Sequence, residues 1–470
     1  MAHVRLFRHY IHVPFVILGL IDFLILVLAV LLSIFLRFFG DVDFFFDSIE
    51  FVLPSGIVFA LANLLVMVAL GVHQSRLEEG MSGMMLRTLL ALIVSLPVSW
   101  LAYGIFTDWL WYLGGSGVLT TASVFGLFLL GIGRTVFFGL VGKDSFKRKV
   151  LVLGAGRRAR QLLSDLHTPF NRKGFILKGF VPIPGEPVEV DEKYVLQLPF
   201  TLYQYVLSNR ISEIVVAVDD RRKGLPMDDL LECKMAGIRI VDGASFYERE
   251  SRKVALEMIT PGWLVFSDGF SVSGFSGFWK RSLDLTTSGV LILLSLPLML
   301  LTVIAIKIED GLTAPVLYSQ ERVGLNGEVF RVHKFRSMVT DAEKHGAVWA
   351  SKNDNRVTRV GDFIRKVRID EIPQVFNVMN GTMAFVGPRP ERPMFVQKLA
   401  EKIPFYNERH RVKPGITGWA QLCFAYADNE EDSREKLRYD LYYIKNQSLL
   451  LDLLIIIQTV EVVLFRKGSR

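Results

Sequence analysis

Four long runs of apolar residues fill the first third of the chain, at about 13–39, 51–72, 84–106 and 118–141. A helix needs roughly 20 such residues to cross the hydrocarbon core of a bilayer, and each run reaches that length. The first is too long for the core of a secretory signal, and no small-residue cleavage site follows it. From Lys149 the pattern shortens. Strand-like runs at 149–153, 176–181, 211–218 and 238–241 alternate with helical or polar stretches, which predicts βαβ units. A fifth apolar run, 283–308, carries charge only at Asp284 and Lys307 near its ends and has Pro297 near its middle. After it, the segments 316–322 and 327–336 flank Leu325-Asn326-Gly327, and the Asn-Gly pair predicts a hairpin.

Basic residues orient the four spans. Arg5 and Arg8 precede the first, Arg76 and Arg87 lie between the second and third, and Lys143, Lys147, Arg148 and Lys149 follow the fourth. The opposite loops carry Asp41, Asp43, Asp47 and Asp108. Lys and Arg accumulate on the cytoplasmic side, so the N-terminus and everything after Lys143 are expected there. Asp22 lies inside the first span, where a charge is costly. With no other acid or base expected at its depth, a structural, hydrogen-bonded role is the reading. The fifth run has Lys or Arg at both ends and gives no vote for crossing. Its central Pro removes a backbone donor and bends a helix, so a re-entrant helix and an ordinary fifth span both remain open.

At 470 residues the chain needs two to four domains. A mean hydropathy of +0.36 agrees with a membrane protein. The net charge of +7 suits an anionic membrane face or a polyanionic substrate; no nucleic-acid module is recognisable, and no nucleic-acid partner is expected. Two cysteines, Cys233 and Cys423, stand far apart without a His cluster, which argues against a disulfide framework or structural zinc.

Lys149–Ala159 reads as strand, glycine turn and helix, with Gly154 and Gly156 in the turn and Ala159 at the third position of the dinucleotide fingerprint. This gives a Rossmann-like domain. The acidic residue that would grip a ribose at the end of the second strand is missing, so a structural or regulatory domain is favoured over a bound nicotinamide cofactor. A membrane-anchored nucleotide-sugar dehydratase or epimerase would share this plan, but none of the 13 tyrosines has a Lys four residues later to acidify it.

The densest chemistry lies in Arg365-Lys366-Val367-Arg368-Ile369-Asp370-Glu371-Ile372-Pro373-Gln374. Two adjacent carboxylates beside three cations can form a nucleophile and a metal ligand for polyphosphate chemistry. Asp370 can equally be a helix N-cap, with Glu371 and Pro373 in the first turn. Lys334 and Arg336 lie two apart on the hairpin's second strand and so share a face. Arg389 and Arg392 sit on the stiff Pro-rich loop 386–393, and Thr417 follows Gly415 in a turn that can approach a ligand closely.

Lys280-Arg281 with Asp284, Gln320–Gly327, Lys334-Phe335-Arg336-Ser337-Met338, Asn353-Asp354 with Arg356, Asp370–Gln374, Gly387-Pro388-Arg389-Pro390, Pro414–Gln421 and Tyr439–Tyr443 occur in one order. Together they resemble the bacterial sugar transferases that act as polyprenyl-phosphate hexose-1-phosphate transferases, the monotopic phosphoglycosyl transferases. Val218–Arg222 and Phe266–Phe270 resemble the large, exopolysaccharide-associated subgroup.

The resemblance implies four transmembrane helices (1–145), a Rossmann-like cytoplasmic domain (146–265), a linker (266–279) and an α/β catalytic domain (280–470) anchored by a re-entrant membrane helix at about 282–308. It implies transfer of sugar-1-phosphate from a UDP-hexose to undecaprenyl phosphate at the bacterial inner membrane, with membrane lipid around the anchor and a homodimer as the assembly. By this analogy Asp370 is the nucleophile, Glu371 binds Mg²⁺ or moves a proton, and Lys334, Arg336, Arg365, Gln374, Arg389 and Thr417 bind substrate. The chain departs from the pattern at Leu296-Pro297, where Ser-Pro is usual, and at Gly381-Thr382-Met383-Ala384, which lacks an acid. A non-catalytic assembly factor is the third reading. The tail at 449–465 is too interrupted by Asp452, Gln458 and Glu461 for a span and is expected to pack on the domain or lie at the interface.

Overall fold

A computed structural model describes residues 3–6, 9–37, 49–73, 80–106, 116–141, 147–165, 175–220, 224–258, 274–339, 356–424 and 429–464. Arg8, Asp41, Asp43, Asp47, Arg76, Asp108, Lys143, Arg221, Arg222, the 266–270 motif, Asn353 and Asp354 lie outside them. Contacts divide the chain into two compact units, one ending at Ser251 and one running from Arg252, with residues 7–9 grouped with the second.

After two short strands, His3–Leu6 and His9–His12, come four apolar helices, α1 (Val13–Arg37), α2 (Ile49–Ala69), α3 (Gly80–Phe106) and α4 (Ser116–Val141). Segments of α1, α3 and α4 are long and apolar enough to cross a membrane. In α2 the apolar segment Leu53–Ala69 is shorter. Helix α1 packs on α2 and α4. Gly56 lets α2 approach closely, since a Cβ there would lie 3.3 Å from a Val27 methyl. Arg37 closes α1 and adds a basic residue at the end where the loops carry Asp.

Asp22 is not isolated. Its two carboxylate oxygens accept from Arg134 Nη1 and Nη2 of α4 at 2.7 and 2.8 Å, and Oδ2 also meets His73 Nε2 at 2.7 Å. Arg134 is completely buried. The expectation that no other ionisable group lies at Asp22's depth is therefore corrected. A bidentate Arg–carboxylate pair joins α1 to α4 where neither charge can reach water.

Four strands follow: β1 (Arg148–Leu153), β2 (Phe175–Val181), β3 (Glu213–Val216) and β4 (Arg239–Asp242). All pair in parallel, in the order β2-β1-β3-β4. Five of the six β1 residues are buried, as befits a strand covered on both faces. Between them run α5 (Arg157–Asp165), α6 (Leu202–Ser208) and α7 (Met227–Met235), with α8 (Gly243–Ser251) closing the unit.

The second unit opens with α9 (Gly274–Asp310), a single 37-residue helix that continues through Pro297. Its segment Gly277–Asp310 is also long and apolar enough to cross a membrane. Strands β5 (Leu317–Val323) and β6 (Val329–Phe335) form the expected antiparallel hairpin, with Asn326 and Gly327 both at positive φ in its loop. Then come α10 (Arg359–Lys366), α11 (Gln374–Met379), β7 (Ala384–Val386), α12 (Pro393–Lys402), β8 (Gly415–Thr417), α13 (Trp419–Cys423), α14 (Glu430–Lys445) and α15 (Leu449–Leu464).

Both ends of α9 are fastened to this unit. At the start, Arg281 donates to the Val378 and Met379 carbonyls at 2.6 and 2.7 Å, and Asp284 accepts from the Phe385 amide at 3.0 Å. At the far end, Glu309 accepts from the Arg359 and Val360 amides at 2.8 and 3.0 Å, and Asp310 pairs with Arg336 at 2.5 Å. Ile306 joins Phe335, Ile364 and Ile369 in one apolar core. Between these anchors one side of the helix is exposed, with Leu293 and Leu294 nearly three-quarters bare, while Ser288, Ser295 and Thr302 are buried. Helix α15 packs on α9, β7 and β8 with Leu451 and Ile455 fully buried, so the tail rests on the domain.

Breaking one partner of the buried Asp22–Arg134 pair strands the other charge. Arg134→Met or Asp22→Asn is expected to cost about 3 kcal/mol, read by thermal or denaturant unfolding in detergent. The double variant Asp22→Asn/Arg134→Met should lose less than the sum of the two single losses.

Candidate active site

The dyad sits in a short 3-10 turn, Ile369–Glu371, entered through Arg368 in the left-handed region at φ 60. Such a conformation is uncommon for a residue with a Cβ and persists where the surroundings impose it. The N-cap reading of Asp370 is overturned: α11 starts at Gln374, its N-cap position is Pro373, and no side chain caps it. What fixes the turn is burial of Ile369 in the core that holds Ile306.

Around this turn the two carboxylates have different surroundings. Glu371 Oε1 meets Lys334 Nζ of β6 at 2.7 Å and Arg389 Nη2 at 2.5 Å, while Oε2 takes Arg389 Nη1 at 3.3 Å and has Arg368 at 3.9 Å. Burial pushes its pKa up, but the Arg389 and Lys334 charges, the Arg389 hydrogen bonds and Arg368 overcome this, holding Glu371 well below the usual carboxylate range. Asp370 is equally buried, and its carboxyl makes no hydrogen bond or ion pair among the described residues. Burial raises its pKa and the Glu371 charge adds to the rise, against Lys334, Arg389 and Arg368. One carboxylate is clamped, and its neighbour is left unengaged.

The cations are themselves held. Asn377 of α11 accepts from the His333 amide and donates to the Arg331 carbonyl, stitching α11 to the edge of β6 beside Lys334. Arg389 follows β7 on the Gly387–Pro390 loop, and side-chain cations take carbonyls at the end of β7 and in the loop. Lys280 donates to Val386 O at 3.0 Å, Arg409 to Arg389 O at 2.9 Å and Arg322 to Pro390 O at 3.2 Å. Tyr443 also donates to Val386 O, and Arg409 is paired with the buried Asp440 at 2.8 Å. A Cβ on Gly387 would collide with the Lys413 carbonyl, and one on Gly418 with the Gly387 carbonyl. These glycines let the 387–390 and 414–418 backbones touch each other.

Of the expected site residues, the structure gathers Asp370, Glu371, Lys334 and Arg389. Arg336 is bound to Asp310 at the end of α9. The Thr417 hydroxyl meets Thr459 of α15 at 2.8 Å, and its carbonyl accepts from the Gly387 amide. Gln374 is buried at the start of α11, and Arg365, half-buried in the last turn of α10, has no ion pair among the described residues. Asn377 and Arg409 lie outside the motifs, and Asp440, though inside Tyr439–Tyr443, gave no sign there of its pairing with Arg409.

No group of three or more metal-ligating side chains occurs among the described residues. Mg²⁺ commonly uses one or two carboxylates and completes its shell with substrate phosphates and water. Adjacent carboxylates with Glu371 Oε2 the less engaged oxygen fit a shared ion of that kind, not a protein cage.

In the first unit, the glycine turn after β1 is already satisfied. Asp219 accepts from the Arg157 and Arg158 amides at 2.9 Å each, and Glu186 from the Ala155 amide at 3.3 Å. Those are the amides that the pyrophosphate of a dinucleotide would use.

Residues 275–466 match the model of the bacterial sugar transferase family. The chain is 49% identical over 193 residues to a UDP-N-acetylgalactosamine-undecaprenyl-phosphate N-acetylgalactosaminephosphotransferase of Aeromonas hydrophila, covering 41% of this chain and 45% of that protein. It is 33% identical over 331 residues to an undecaprenyl-phosphate glucose phosphotransferase of Komagataeibacter xylinus, covering 68% of this chain and 60% of that protein. An uncharacterized sugar transferase of Bacillus subtilis (strain 168) is 38% identical over 40% of this chain and 89% of its own length. The chain thus spans about half the length of the first two relatives.

The unequal surroundings of the dyad separate stability from chemistry. Glu371→Gln leaves Lys334 and Arg389 short of their counter-charge and is expected to cost about 3 kcal/mol. Asp370→Asn removes a desolvated, unengaged charge and should leave stability unchanged or higher. Unfolding of the two purified variants compares them directly.

Proposed function

Since the chain belongs to the bacterial sugar transferase family, we propose that it transfers sugar-1-phosphate from a UDP-hexose to undecaprenyl phosphate through a covalent intermediate on Asp370. The observation that carries this reading is the unengaged Asp370 carboxylate beside a Glu371 already claimed by Arg389 and Lys334.

A carboxylate approaching a diphosphate meets charge repulsion, so catalysis rests on positioning and neutralisation. Asp370 attacks the phosphorus that bears the sugar. The bond to the bridging oxygen breaks, UMP leaves with the electron pair, and an aspartyl phosphosugar remains. A phosphate oxygen of undecaprenyl phosphate then attacks the same phosphorus, which releases the Asp370 carboxylate and gives the diphosphate-linked sugar. Arg389 and Lys334 lie where charge develops on the phosphoryl oxygens. Glu371 keeps these cations in place and would hold Mg²⁺ through Oε2. When bound, that ion neutralises phosphate charge and orients the diphosphate.

The fold serves this chemistry if the catalytic unit faces the cytoplasm at the inner membrane. Fastening of both ends of α9 to one α/β unit supports a re-entrant anchor, because a crossing helix would carry one end to the other side. The parallel sheet with its glycine turn supports the Rossmann-like reading of 146–265, and the satisfied turn amides give the dehydratase alternative no support. We keep 1–145, 146–265, 266–279 and 280–470 as the proposed divisions and a homodimer as the proposed assembly.

The purified chain should release UMP from a UDP-sugar in the presence of undecaprenyl phosphate and Mg²⁺. It should exchange labelled UMP into UDP-sugar without acceptor, as a two-step mechanism requires. Chelation should stop release and added Mg²⁺ restore it. Asp370→Asn should lower turnover at least about a thousandfold; full turnover in that variant would remove the nucleophile assignment.

A further inference from the structure

Beyond Arg389, away from the dyad, lies a second group of charges that the reaction as written does not use. Arg409 pairs with Asp440 and holds the Arg389 carbonyl. Arg322 pairs with Glu391 at 3.4 Å and holds the Pro390 carbonyl. Glu371 is matched by Arg389 and Lys334. Every carboxylate in this group thus has its cation.

Lys436 is different. It lies on α14 one turn before Asp440, and residues four apart share a helix face. It is half-buried and makes no hydrogen bond or ion pair with any described residue. Burial pushes its ammonium below the usual lysine range, and the Arg389 and Arg409 charges add to this against Glu391 and Asp440. A half-buried cation beside two arginines, with the nearby acids already taken, is unfavourable in isolation. An anion placed against it removes that cost, and Arg389 keeps about a third of its side chain open to meet the same anion.

We propose that Lys436 and the open side of Arg389 form a phosphate-binding subsite next to the Asp370–Glu371 dyad, with Lys436 as a substrate-binding residue. The proposal rests on the transferase reading, which supplies two phosphate-bearing substrates: the diphosphate of the nucleotide sugar and the phosphate of the polyprenyl acceptor. Lysine suits this as a mobile point charge that reaches one phosphate oxygen. The subsite then carries the charge of the group that departs or arrives, leaving Lys334 and Glu371 with the phosphoryl group under attack.

The test uses the full chain in detergent micelles with Mg²⁺ and compares wild type, Lys436→Met, Lys436→Arg and Asp370→Asn. Binding of inorganic pyrophosphate, UDP and undecaprenyl phosphate is measured at equilibrium, and KM is measured for both substrates. Lys436→Met is expected to weaken the phosphate-bearing occupant about tenfold, the worth of one charge-assisted hydrogen bond. Lys436→Arg should stay near wild type, and the melting temperature of Lys436→Met should not fall. Loss confined to pyrophosphate, UDP and KM for the UDP-sugar assigns the subsite to the donor. Loss confined to undecaprenyl phosphate and its KM assigns it to the acceptor. Unchanged affinities and KM values in Lys436→Met overturn the subsite, as does an equal loss in Lys436→Arg together with a lower melting temperature, which marks a packing role. Asp370→Asn is the comparison for lost turnover: it should stop UMP release, whereas Lys436→Met changes affinity and KM. If the wild type releases no UMP while Lys436→Met still loses pyrophosphate affinity, the reaction falls and the subsite stands.

Discussion

The second unit depends on how one buried glutamate is neutralised. Taking a carboxylate out of water costs several kcal/mol, and one cation at 4 Å returns about 4 kcal/mol at an effective dielectric of about 20. A single partner would therefore roughly break even. Glu371 has two, at 2.7 and 2.5 Å, with a third at 3.9 Å. The surplus keeps Glu371 ionised, and its charge in turn keeps Arg389 and Lys334 converged on one point. Asp370, its neighbour in the chain, gains only part of this field and feels the Glu371 charge as repulsion. Adjacent acids driven apart in this way can take different chemical roles.

Convergence of the cations is imposed by the backbone beneath them. Arg389 cannot swing away because the carbonyls at Val386, Arg389 and Pro390 are tied by Lys280, Arg409 and Arg322. Lys280 belongs to α9, the exposed apolar helix, and is also paired with Asp452 of α15 at 3.0 Å. The exposed apolar helix and the loop that carries Arg389 are thus joined by one lysine. At the other end of α9, Ile306 shares a core with Ile369, one residue before the dyad. Displacement of either end of the helix would be felt at the carboxylates through packed atoms.

Much of this was legible in the sequence because its signals are local. The Asn326-Gly327 turn, the apolar runs and the alternation of strands and helices each depend on neighbouring residues, and the corresponding hairpin, helices and parallel strands formed. The Asp370-Glu371 pair was visible as well, but its setting was not. An N-cap and a 3-10 turn look alike when Pro follows two acids, and the turn is decided by Ile369 reaching a core built from α9, β6 and α10. Arg134 was missed because its apolar neighbours carry the hydropathy of the whole run, and Asp22 lies 112 residues away. Lys334 and Arg336 share a strand face by spacing, yet the strand ends at Phe335 and Arg336 goes to Asp310. The glycines near Thr417 announced a close approach without saying to what; the approach is to the Gly387 loop.

The charge of Arg389 acts on both an anion and a cation that have no hydrogen-bond or ion-pair partner among the described residues. Asp370 is buried and repelled by Glu371, and Lys436 is half-buried and repelled by Arg389 and Arg409. Were the site only a structural ion cluster, pairing these two charges or replacing both by apolar side chains would be the more stable solution. A substrate with an electrophilic phosphorus and flanking anionic oxygens satisfies both at once, since the carboxylate needs the phosphorus and the ammonium needs the oxygens. Unmatched charges of opposite sign are what the proposed diphosphate site requires before its ligand arrives. The stability lost by leaving them unmatched is returned only when that ligand binds.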